Sequence, residues 1–212
     1  GALHTAVWTE AGELFTFGYG AHGRLGHGGQ QNELVPRLVE ALAGRKVVGA
    51  AAGLHHTAVW TEEGELFTFG DGSRGQLGHG GQQTELVPRL VEALPGKKVV
   101  GASAGYVHTA AWTEEGELFT FGSGNFGKLG HGGSQTELVP RLVETLAAKT
   151  EIGATPGYYN TAVRTDEGEP FTFGQGEDGK RGHGWAQGAA VPRLGETLAA
   201  VTYRHRTLTT KR

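Results

Sequence analysis

Several stretches of this chain pair reactive residue types with spacings that suit chemistry. The first is Gly18-x-Gly20-x-x-Gly23, inside FGYGAHGRLGHGG. That is the spacing of a loop that cradles a dinucleotide pyrophosphate at a helix N-terminus. Here no amphipathic helix follows Gly23, and the chain runs into GRLGHGGQQNELVPRLV, broken by glycines and Pro36. The stretch also recurs, beginning at Phe17, Phe69, Phe121 and Phe173 with a spacing of 52. A phosphate loop serves once per domain, so these glycines belong to a repeat and no nucleotide cofactor is expected. Ser103, in GASAG, has the frame of a nucleophile elbow, which needs a strand-to-helix turn with histidine and acid partners. The same frame reads GAAAG from Gly49 and GATPG from Gly153, flanked by strand-like runs, so Ser103 is structural.

Histidine forms two series. His4, His56 and His108 precede threonine in HTA, and Asn160 takes their place in the last copy. Asparagine can replace a hydrogen-bonding imidazole but is a poor zinc ligand. His27, His79, His131 and His183 stand in GHG turns, one per copy and too separated to share an ion. Both series are read as structural, tying loops to backbone groups. No catalytic, metal or cofactor set is expected, and so no enzyme.

The residues sit in a repeat whose units are 1–52, 53–104, 105–156 and 157–208, followed by a basic tail, 209–212. Within a unit, HTAVWT and ELFTF are short runs of β-formers joined by EAG or EEG, a hairpin signal. LVPRLV is a third strand, its proline suited to a sheet edge. KVVGAAAG is a fourth, ending in residues small enough for a crowded junction between units. The fold class is therefore all-β, with propeller blades of four-stranded antiparallel sheets. The four repeats form an open arc or part of a seven-bladed propeller. TYRHRT, near the C-terminus, stands where other units have KVVGAA, which argues against closure on four blades.

The 212 residues include 38 glycines and no cysteine, with a formal net charge of −3. That charge offers nucleic acid no global attraction. No apolar run approaches the ~20 residues that span a bilayer. The chain opens at Gly1 inside a unit, without an initiator methionine or a signal peptide. It is expected to be part of something longer, in the cytoplasm, nucleus or an organelle.

The pattern GxxHTA, EGELFTFG, GxLGHG and VPRL, in register over nearly the whole chain, resembles the regulator of chromosome condensation repeat. The resemblance implies a propeller, usually of seven blades. The founding member of that family is an exchange factor for the Ran GTPase that docks on chromatin. Its exchange wedge is an insertion in one blade, and no unit here has one. Exchange or chromatin adaptor activity is thus the alternative to a plain interaction module. A plant ultraviolet photoreceptor also belongs to the family, with light-sensing tryptophans two positions before the motif histidine. Those positions are Ala2, Leu54, Tyr106 and Tyr158 here, which speaks against photoreception.

Positions shared by the units must build the blade, so those that differ are free to serve a surface. After FTFG the units differ at Tyr19, His22 and Arg24, then Asp71 and Arg74, then Phe126 and Lys128, then Glu177 and Asp178. Before the histidine they differ at Leu54 and His55, at Tyr106, and at Tyr158 and Tyr159. Loop tips on a rigid scaffold concentrate binding residues, and aromatic and arginine side chains suit protein recognition. These positions form the candidate protein-binding face, with Phe126 and Tyr106 of one unit as its joint anchor. The partner is expected to be protein, within a larger complex or the parent chain.

Overall fold

The computed structural model describes residues 1–147, 149, 151–183 and 187–195. The basic tail, 209–212, lies outside the described residues. The first sheet has three strands, β1 (His4–Trp8), β2 (Leu14–Gly18) and β3 (Glu33–Leu38). The second runs β4 (Val47–Ala52), β5 (His56–Thr61), β6 (Leu66–Gly70), β7 (Glu85–Leu90). The third is β8 (Val99–Ala104), β9 (His108–Thr113), β10 (Leu118–Gly122), β11 (Glu137–Leu142). The fourth is β12 (Glu151–Pro156), β13 (Asn160–Thr165), β14 (Pro170–Gly174), β15 (Ala189–Leu194). Every pairing is antiparallel between chain neighbours, the meander of a propeller blade.

Local chemistry explains each element. Gly12 closes the first hairpin at φ +86°, donating its N–H to Thr9 O at 2.9 Å. Gly64 and Gly116 repeat that turn at φ +82° and +79°. Pro36, Pro88, Pro140 and Pro192 fall on β3, β7, β11 and β15, the sheet edges where a missing N–H breaks no ladder.

The sheets do not coincide with the sequence units. The VVGAAA strand that ends one unit is the first strand of the next sheet, paired with that unit's HTAVWT strand. Each complete sheet therefore spans a unit boundary and ties successive units together. Among the described residues the first sheet has three strands, and β1 pairs with β2.

The core lies in the seams between sheets. Alternation along β5 sends Val59 to one face and Ala58 and Trp60 to the other. Val59 packs with Leu14, Val39, Val47 and Phe69, while Ala58 and Trp60 pack with Ala111 and Phe121 of the third sheet. Ala110, Leu118, Val163 and Phe173 repeat the arrangement. Phe69, Phe121 and Phe173 are fully buried, each worth roughly 2–3 kcal/mol. Ser103 sits inside β8, opposite Ala110, with no strand-to-helix turn around it.

Candidate protein-interaction surface

Strand register decides which loops meet. His4 pairs with Gly18, His56 with Gly70, His108 with Gly122 and Asn160 with Gly174. The residues before each histidine and those after each FTFG therefore emerge at the same end of the sheet. A backbone bond clamps them, Tyr19 N–H to Leu3 O and Gln175 N–H to Tyr159 O, both at 2.9 Å. The equivalent bonds of the middle sheets are Asp71 to His55 and Ser123 to Val107. Within the loop, a Cβ on Gly20 would lie 1.8 Å from Gln31 O, so the glycine admits a close backbone crossing. The loop tip turns through the left-handed region at His22, Phe126 and Asp178, with φ of +62°, +64° and +58°. That conformation is uncommon for non-glycine residues and rarer still for a bulky one. Phe126 is also half exposed, at 51 %.

Each loop then packs against the next sheet. Arg24 donates to Leu54 O at 2.5 Å and Ala21 O at 2.8 Å, and through Nη2 to His55 Nδ1 at 3.0 Å. It is fully buried and lies 5.0 Å from the Tyr19 ring centre. Lys128 occupies the matching place two units on, 1 % exposed, with Nζ donating to Ser123 Oγ at 3.1 Å. Burial, reinforced by the charge of Arg74, pushes the Lys128 ammonium down to about 8. These two residues correct the expectation of an exposed binding role. The following sheet covers the position, so Arg24 and Lys128 support the loops from below. Gln76 fills the same place between them, buried and bonded to Asp71 Oδ2 at 3.0 Å.

Above this layer the tips join in an aromatic chain that crosses the units. His22 lies 5.6 Å from His55, and His55 lies 5.8 Å from Tyr106. Tyr106 stacks on Tyr158 at 3.8 Å with planes 15° apart. Tyr158 meets Tyr159 edge-on at 4.3 Å, and Tyr159 meets Phe126 at 5.1 Å. Offset and edge-on ring pairs of this kind are favourable in themselves. Phe126 and Tyr106 thus belong to one cluster, but through Tyr158 and Tyr159 of the next unit instead of by direct pairing within their own. Tyr19, Arg74 and Tyr158 are exposed, and Tyr106 and His55 are half-buried. Leu54 contributes its carbonyl, and Asp71 braces its own loop through Ser73 and Gln76. Glu177 and Asp178 are exposed at the far end, outside the ring cluster, where Glu177 accepts from Gln175 and Asp178 pairs with Lys180 at 3.4 Å.

Both histidine series are hydrogen-bonding elements. His4, His56 and His108 reach the next sheet, with Nε2 2.7, 2.8 and 2.9 Å from the hydroxyls of Thr57, Thr109 and Thr161. Each hydroxyl spends its own proton on a backbone carbonyl, Thr57 on Arg24 O at 2.7 Å. The imidazole must therefore donate from Nε2, leaving Nδ1 bare and buried. The GHG histidines meet a threonine of their own sheet, such as His27 Nε2 at 2.9 Å from Thr16 Oγ1. In both series the immediate partner is a threonine hydroxyl, which in turn holds the backbone. These threonines were missed as seam residues, although the HT dipeptide recurring beside Asn160-Thr161 marked them. Among the described residues, no group of three His, Cys, Asp or Glu side chains could hold a metal ion.

The model of the regulator of chromosome condensation (RCC1) repeat matches residues 11–60, 63–112 and 115–163. The human E3 ubiquitin-protein ligase HERC2 is 37 % identical over 92 % of this chain, which spans 4 % of that protein. The Arabidopsis thaliana ultraviolet-B receptor UVR8 is 34 % identical over 94 % of this chain, which spans 45 % of the receptor. Among solved structures, human WBSCR16 superposes with a TM-score of 0.81 at 27 % identity, covering 91 % of this chain and 50 % of that one. The chain thus spans half or less of each of these relatives. Repeat matches, sheet topology and superposition agree, and the chain belongs to the regulator of chromosome condensation repeat family, built as β-propeller blades.

Proposed function

We propose that this chain is a non-enzymatic protein-interaction module whose working surface is the aromatic end of the blades. One observation carries the reading: rings from all four units line up as His22, His55, Tyr106, Tyr158, Tyr159 and Phe126. A hydrophobic core does not need them there, since the seams below are already filled by Phe69, Phe121 and Phe173. Clustered aromatics over a rigid base are what protein hot spots use. The buried supports Arg24 and Lys128 hold the tips in place, which lowers the ordering cost of binding.

The test is a pull-down from native extract with the immobilised chain, compared with the Tyr106→Ala/Phe126→Ala double variant. Loss of an aromatic anchor costs ~2 kcal/mol or more. The variant should therefore retain its partner roughly thirtyfold less well while keeping the same β-sheet circular dichroism. Equal recovery by both proteins contradicts the assignment of this surface.

A further inference from the structure

Charge at the aromatic end is unbalanced. Along the outer strands and at the hairpin end, cations have carboxylate partners, as Arg89 has Glu85, Arg141 has Glu137 and Lys98 has Glu114. At the aromatic end, Arg24, Arg74 and Lys128 form no ion pair among the described residues. Asp71, in the same loop as Arg74, already accepts from Ser73 and Gln76. The buried Lys128 ammonium has three donors but one hydrogen bond among the described residues, to Ser123. A buried charge without a counter-ion is costly to keep. The Arg74 loop seats on the third sheet, where Gln76 O accepts from Thr109 at 2.7 Å and a Cβ on Gly122 would lie 3.1 Å from Gln76 Cα. Ser123 follows Gly122 and bonds Val107 O, next to Tyr106. The Lys128 loop seats on the fourth sheet, where Thr161 donates to Lys128 O at 2.8 Å and Nζ lies 5.9 Å from the Tyr159 ring centre. Arg74 is near enough for its charge to repel the Lys128 ammonium. Two cations thus flank one cluster of rings.

We propose that this surface takes an acidic protein segment, its carboxylate received by Arg74 and an adjacent apolar side chain resting on the rings of Tyr106, Tyr159 and Phe126. The inference rests on the aromatic end being the working surface. The rings do not suit a cationic partner. Tyr106 and Tyr158 cover one another at 3.8 Å, and the chain's own Arg24 and Lys128 already lie over Tyr19 and Tyr159. A methylated lysine would need open ring faces instead. A carboxylate relieves the repulsion between Arg74 and Lys128. Arg74 is exposed and offers the two-point contact that a guanidinium makes with a carboxylate. Lys128 attracts the same group from beneath, buried where its field is screened less than at the surface. The whole chain carries a net charge of −3 and so repels an acid at long range, which makes any acidic preference a local one. Glu177 and Asp178, exposed at the far end, oppose a long polyanion and favour a short acidic segment over nucleic acid.

The probes are the labelled peptides EFEGEFE, QFQGQFQ and KFKGKFK, titrated with the full chain and read by fluorescence anisotropy. EFEGEFE should bind at least about tenfold more tightly than QFQGQFQ, with KFKGKFK weaker than both. Raised salt should narrow the gap. Arg74→Gln should remove most of the preference, and Arg74→Gln/Lys128→Gln all of it. The second change copies Gln76, which fills the same buried place in its own unit. The Arg74→Gln comparison stands even if the double variant folds poorly, because Arg74 is exposed. Four results would overturn the proposal: no saturable binding of EFEGEFE, equal binding of the acidic and neutral peptides, an acidic preference that survives Arg74→Gln in full, or tighter binding of a short oligothymidine than of EFEGEFE. The Tyr106→Ala/Phe126→Ala variant tells the two readings apart. If the acidic and neutral peptides bind alike and both are weakened in that variant, the acidic chemistry fails and the surface stands. If that variant binds every peptide as the unmodified chain does, the surface itself fails.

Discussion

A histidine ring with one committed nitrogen governs how successive sheets hold together. His4, His56 and His108 each donate across a seam to a threonine of the next sheet. Burial disfavours a second proton on these rings and pushes them down to about 3, 4 and 3, from an ordinary 6.5. The unfolded chain takes up those protons as the pH falls through 6.5, and the folded chain does not until 4 or 3. Their contribution to stability is thus complete above pH 6.5 and declines as the pH drops toward those values. A urea midpoint measured against pH should fall between pH 6.5 and 5, before most carboxylates titrate, and His56→Asn should flatten that slope. A midpoint constant across that interval contradicts the seam role.

At the scale of the strand, the pairing of glycine and tryptophan sets how closely the inner strand can lie. Gly49→Ala should cost more than about 2 kcal/mol in chemical denaturation, because its Cβ meets a packed indole. Gly44→Ala has nothing within 4 Å and should lose only about 1 kcal/mol for its φ of +81°. Equal losses at the two positions would contradict this close packing. Strand identity and order were legible in the sequence, because β-branched runs, turn glycines and edge prolines recur in every unit. The phase between unit and sheet was not legible. A repeat read from one starting residue does not say whether KVVGAAAG pairs within its unit or with the next. That is settled by the seam, where β4 must lie beside β5 for Gly49 to receive Trp60. The candidate surface was legible as loop tips that differ between units, and Tyr19, His22, Arg74, Phe126 and Tyr158 are indeed exposed. Arg24 and Lys128 were misplaced because burial by the following sheet is a tertiary effect that no local pattern reveals.

At the scale of the whole molecule, the blades have two unlike ends. One carries the hairpin turns and surface ion pairs such as Lys46–Glu62 at 2.6 Å and Lys98–Glu114 at 3.0 Å. Exposed pairs of this kind contribute little. The other end carries the aromatic chain, supported by buried cations and spanning four units. Among the described residues, the leading face of the first sheet is exposed. Leu34 is 92 % exposed, while its counterparts Leu86 and Leu138 pack onto Gly23 and Gly75 of the preceding sheets. Binding at the aromatic end, at the hairpin end or on this open face would leave different marks on the surface. Hydroxyl-radical footprinting of the chain in complex with the partner recovered from extract separates them directly. The account predicts protection of Tyr106, Phe126, Tyr158 and Tyr159, with the hairpin residues Glu62 and Glu114 and the open-face residue Leu34 unchanged. Protection confined to the hairpins or to Leu34, with the aromatic tips still reactive, would contradict it.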